Sequence, residues 1–70
     1  MEGYVKWFDS TKGWGFVCGQ DDVDYFAHYS QIEGSGYRNL DQDEEVEFDL
    51  EKDNKGRYRA VNIKKLEVRQ

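Results

Sequence analysis

The segment Glu45 to Glu51 alternates without a break, with Val46, Phe48 and Leu50 on one side and carboxylates on the other. A period of two marks an extended strand with one face on a core and the other in water, whereas a helix would repeat near 3.6. Similar runs predict strands over Val5 to Phe8, Trp14 to Cys18, Tyr25 to His28 and Tyr58 to Ile63, the last with Val61 and Ile63 inward. Turn formers fill the gaps: Asp9 to Gly13, Gly19 to Asp22 and Asp53 to Gly56, while Gly34 to Gly36 opens a longer loop. Ser30 to Ile32 reads as one helical turn, with Ile32 plugging the core. Five short strands and no helix of ordinary length in 70 residues predict an all-β protein, a five-stranded antiparallel barrel of the OB-fold kind. An SH3-like barrel has similar strand content and is the fold alternative. The chain is short enough for one domain over residues 1–70, with residues 67–70 expected to fray.

Two places depart from a plain core pattern. Adjacent Trp7 and Phe8 cannot share one face of a flat strand, so a bend or bulge is expected there. In Lys12 to Val17, alternation puts Trp14 and Phe16 on one face and Gly15 and Val17 on the other. If Val17 points inward, Gly15 leaves room for a neighbouring backbone and the two large rings stand on the open face. Phe26 and His28 repeat the arrangement on the third strand, and Tyr29 extends it. The sequence holds 11 aromatic residues, more than so small a core hides, and exposed rings mark a contact surface. Rings beside lysines suit single-stranded nucleic acid, whose bases stack and whose phosphates take the charge.

Net charge is −5, which excludes a binder that relies on an overall basic surface. The distribution is uneven: residues 1–17 are balanced, residues 18–51 carry most of the acid, and residues 52–70 are basic. The aromatic strands thus stay near neutral while the far side repels polyanions. Cys18 is the only cysteine, so no internal disulfide forms, and with His28 as the only histidine the chain lacks the donors for a structural zinc site. No phosphate-cradling glycine loop and no convergent acid, base and nucleophile are present, which argues against a helicase or any other enzyme, and no cofactor is expected. Without an apolar stretch of spanning length or a signal peptide, a soluble cytoplasmic protein is expected, with no membrane partner.

These segments, in this order and spacing, resemble a bacterial cold-shock protein over nearly the whole chain. One ribonucleoprotein-type signature appears as Lys12 to Val17, though Gly19 stands where that signature wants a final aromatic. A second appears as Tyr25 to Tyr29, preceded by the Val5 to Phe8 strand and followed by Gly34 to Leu40. The resemblance implies a five-stranded OB-fold that binds single-stranded RNA and DNA and acts as an RNA chaperone. By position it implies base stacking on Trp7, Trp14, Phe16, Phe26, His28, Tyr29 and Tyr37, with Phe8 as a secondary contact. It implies basic contacts from Lys6, Lys12 and Lys55, and a base-edge acceptor at Asp24. Arg38 and Arg57 complete the expected site. The chain departs from the family around Arg57, Tyr58 and Arg59, where many members have a proline and this sequence has none. Tyr25 and Ala27 also stand where aliphatic residues are common.

The leading expectation is therefore an ATP-independent RNA chaperone that traps unpaired, pyrimidine-rich strands as a monomer, with a strand-swapped dimer as the alternative assembly. The competing functional class is an acidic adaptor that binds a proline-rich peptide through the same aromatic patch.

Overall fold

The computed structural model describes residues 1–33 and 39–66; the expectations placed on Tyr37, Arg38 and the 67–70 tail lie outside the described residues. The chain runs β1 (Glu2–Asp9), β2 (Trp14–Gly19), β3 (Asp24–His28), a 3₁₀ turn (Tyr29–Gln31), β4 (Glu45–Lys52) and β5 (Tyr58–Lys65). The strands close in the order β1-β2-β3-β5-β4. Every pairing is antiparallel except β3 with β5, which run parallel and touch at one register pair, Phe26 with Arg59. This is the OB-fold arrangement, and it sets aside the SH3-like alternative. Among the described residues no helix is long and apolar enough to cross a membrane.

Inward positions of all five strands meet in one cluster that includes Val5, Val17, Ala27, Val46, Phe48 and Ile63. Ile32 joins it from the end of the 3₁₀ turn and Leu40 from the segment before β4. Tyr25 also points inward; its ring packs on Phe48 with centroids 6.0 Å apart. Its hydroxyl donates to Asp21 Oδ2 at 2.6 Å. That bond lowers the Asp21 pKa and raises that of the phenol, so the polar end of a mostly buried ring is satisfied at the barrel rim.

The expected irregularity in β1 is present, one residue before the adjacent rings. Val5 pairs with Val17 but Trp7 pairs with Phe16, so Lys6 is the extra residue of a β-bulge. The bulge resolves the conflict between neighbours: Trp7 turns to the outer surface and Phe8 packs against the core. Gly15 makes the fold-over possible, since a Cβ there would stand 2.3 Å from the Trp7 carbonyl oxygen and 2.6 Å from Phe8 Cα.

Strand β5 corrects the simple alternation. Val61 and Ile63 were expected on one inward face, but the inward residues of the core cluster are Ala60 and Ile63. Register slips between the Glu47 pair and the Asp49 pair, and Asn62 has φ of 53°. A residue in the left-handed region shifts the phase of the strand, so Val61 is buried outside the main cluster.

Candidate nucleic-acid interface

Outward positions of β1, β2 and β3 bring the predicted rings together. Phe16 lies directly across from Phe26 in the β2–β3 register, and Trp14 across from His28. The bulge carries Trp7 into the same row, with its ring 5.2 Å from Trp14 and 5.8 Å from Phe16. Phe26 is 6.0 Å from Trp14 and 6.1 Å from Phe16, and His28 continues the contacts at 6.4 Å from Phe26 and 4.7 Å from Tyr29. Most of these neighbours meet edge-on or tilted, the preferred geometry for aromatic pairs. The contact series holds the set in place while leaving ring surface in water: Trp7, Phe26 and Tyr29 are 40%, 38% and 48% exposed.

Two local devices fix the end of this row. Asp9 Oδ1 accepts from the backbone N–H groups of Thr11 and Lys12 at 2.9 and 3.0 Å, shaping the β1–β2 turn. Gly13 closes that turn at φ of 82°, and its carbonyl accepts from the Tyr29 N–H at 2.8 Å. A Cβ on Gly13 would lie 2.8 Å from the Tyr29 ring. The glycine therefore docks the Tyr29 segment against the turn that bears Lys12. His28 caps the 3₁₀ turn, its Nδ1 accepting from the Ser30 N–H at 3.2 Å. With Nδ1 occupied as an acceptor, the neutral ring carries its proton on Nε2.

Charges around the rings are mostly tied up. Lys6, at the bulge, reaches Asp24 Oδ2 at 3.1 Å, which raises its pKa. Arg57 lies 3.6 Å from Asp53, and Arg59 lies 2.8 Å from Glu51 of β4. Asp53 also accepts from the N–H groups of Arg57 and Lys55 at 2.9 Å each, and these bonds hold its carboxyl below the usual carboxylate range. Lys12 makes no ion pair with a described residue.

The structure thus gathers Trp7, Trp14, Phe16, Phe26, His28 and Tyr29 into one surface, with Lys6 and Asp24 paired beside it. Phe8 is not in that row, because the bulge turns it to the core. Lys55 sits in the β4–β5 turn, whereas Arg57 lines a groove with Phe16 and Phe26. From the sequence, Arg57 and Arg59 could add phosphate contacts or pair with the acidic strand, and Arg59 does pair with Glu51 of β4; Tyr58 had no reading as a contact, yet it lines that groove together with Arg59. The signal available for Tyr58 was its position between two arginines; its placement depends on barrel closure.

The profile of the 'Cold-shock' DNA-binding domain matches residues 1–66. The chain is similar to a "Major cold shock protein" of Streptococcus pyogenes, 45% identical over 65 residues that cover 93% of this chain and 96% of the relative. It is 42% identical over 66 residues to "Cold shock-like protein CspB" of Bacillus cereus, covering 94% of this chain and all of that protein. Similarity extends to "Cold shock domain-containing protein 4" of Arabidopsis thaliana, 48% identical over 63 residues; the match covers 89% of this chain and 31% of the plant protein. A barrel closed as an OB-fold, a ring surface on β1–β3 and a match spanning nearly every residue lead to one conclusion: the chain belongs to the cold-shock domain family of nucleic-acid-binding proteins, which are not enzymes.

Proposed function

We propose that this protein traps single-stranded RNA and DNA on the β1–β3 rings and so acts as an ATP-independent RNA chaperone. The observation that carries the reading is the unbroken series of six rings from Trp7 to Tyr29, each within 6.4 Å of the next and partly open to water. Each base stacked on such a ring contributes about 1–3 kcal/mol by substitution. A few stacked bases together outweigh a weak RNA hairpin, and the bound strand is held open with no energy source. Stacking does not read base identity, so the pyrimidine preference we infer comes from flexible, weakly self-stacked strands. The closed strand order supports a monomer, since each of the five strands has a partner strand on both sides. We further infer that residues 1–70 work as one unit in the cytoplasm, where a buried unpaired Cys18 suits reducing conditions.

Titration of intrinsic tryptophan emission tests this. A pyrimidine-rich single strand should quench most of the emission of Trp7 and Trp14, and the same sequence as a duplex should quench far less. Emission unchanged at saturation, with binding seen independently, would remove both rings from the site.

A further inference from the structure

The β3–β5 seam carries an aromatic and two arginines that the ring surface described above does not use. Parallel strands with a single register pair, Phe26 with Arg59, leave a groove on each side of that pair. The larger, about 540 Å³, is lined by Phe16 and Phe26 from the ring row and by Tyr58 and Arg59 from β5. Asp24 and Asp53 line it as well. The smaller, about 190 Å³, borrows Phe26 and Arg59 again and adds His28. Phe26 and Arg59 are therefore a ridge between two depressions, and the larger depression continues the ring surface toward β5.

Tyr58 is the most exposed of the large apolar residues described, at 54%, and the Lys52 ammonium lies 5.8 Å from its ring centre. Arg59 is held by the Glu51 carboxylate, itself half exposed. We propose that this seam takes one further nucleotide of the same single strand, its base against the Tyr58 ring and its phosphate on Arg59. The proposal rests on the single-strand reading above. A nucleotide is the occupant of choice because the groove is continuous with the rings, falls in the size range of small-ligand sites and offers a stacking face beside a planar guanidinium. Exchanging Glu51 for a phosphate replaces one anion by another, so Arg59 stays paired, and the released carboxylate returns to water. The lining carboxylates accept hydrogen bonds and donate none, which favours a base with an exocyclic amino group over thymine or uracil at this position.

The test uses oligothymidylates of about 5–9 nucleotides with 2-aminopurine at the 5′ or at the 3′ end, a fluorescent amino-bearing base that loses emission on stacking. Bound to the wild-type protein, one of the two end labels should be quenched. Tyr58→Ala should restore that label's emission while tryptophan quenching by the same strand persists; Tyr58→Phe should keep the label quenched. Arg59→Gln should weaken the labelled strand about threefold to tenfold. Should Tyr58→Ala fail to fold, Tyr58→Gln keeps a chain of similar reach without a ring and reads the same. Tryptophan quenching with neither label quenched, or label quenching that survives loss of the Tyr58 ring, overturns the seam and leaves the ring surface intact. Absence of tryptophan quenching and of binding by every strand overturns both.

Discussion

Strands β2 and β4 follow the same alternation and differ in what they show to water. Both bury aliphatic or aromatic side chains inward: Val17 from β2, Val46 and Phe48 from β4. Outward, β2 presents Trp14 and Phe16, while β4 presents Glu45, Glu47, Asp49 and Glu51. One parity of each strand belongs to the barrel, and the other is at liberty to carry a surface property. The acidic net charge of the chain is thereby compatible with a polyanionic ligand, because the carboxylates of β4 and the rings of β2 stand on different outer faces. Repulsion at β4 would disfavour approach from the wrong side and so add selectivity.

The comparison is tested most severely by exchanging like residues between the two parities. Phe48→Ala removes a fully buried ring and should cost about 3–5 kcal/mol of stability, measured by urea unfolding, enough to leave much of so small a barrel unfolded. Phe26→Ala deletes the same ring from the outward parity. It should weaken single-strand binding by about 1–3 kcal/mol and shift stability by under about 1 kcal/mol. Equal destabilisation by both substitutions would mean that the rings of β3 are part of the core.

Salt sharpens the contrast between rings and charges. With Lys6, Arg57 and Arg59 already paired, few cations remain to displace counterions, and the log-log slope of affinity against salt should be about −1 to −3. A steeper slope, read from titrations over a range of salt, would place cations of the basic last third beyond Arg59 on the nucleic acid.

The smallest expected effect concerns acid. Asp53 and Asp21 have pKa values lowered by the hydrogen bonds they accept in the folded state. Their contribution is complete above the unfolded carboxylate value of about 3.9 and is lost as pH falls through their lower folded values. Asp53→Asn should therefore unfold at lower urea than wild type at pH 7, and the gap should close toward pH 2. A gap that stays constant across that range would assign the effect to turn geometry instead of charge.

Strand positions and the ring row were legible because alternation is a local signal, and Phe16 and Phe26 needed only adjacency of β2 and β3 to meet. The bulge was legible as a conflict between Trp7 and Phe8, but its location at Lys6 depended on where Gly15 lets β1 approach. The phase shift at Asn62 left a fainter trace: asparagine tolerates a left-handed backbone, but one such residue does not by itself announce a change of phase in the strand. A barrel was expected, but the parallel β3–β5 pairing that closes it was equally hidden. The contact of Phe26 with Arg59, and with it the groove beside Tyr58, joins residues far apart in sequence through a parallel pairing that no local pattern announces.

The ion pair from Lys6 to Asp24 runs from β1 to β3, past the strand that lies between them. On the single-strand reading proposed above, encounter would begin at the rings, and the exchange of this carboxylate for a phosphate would come second. Residence time would then depend on stacking, which breaks one base at a time. A strand with a complementary partner waiting would then peel away stepwise, and the protein would be recovered without any motor to pull it off.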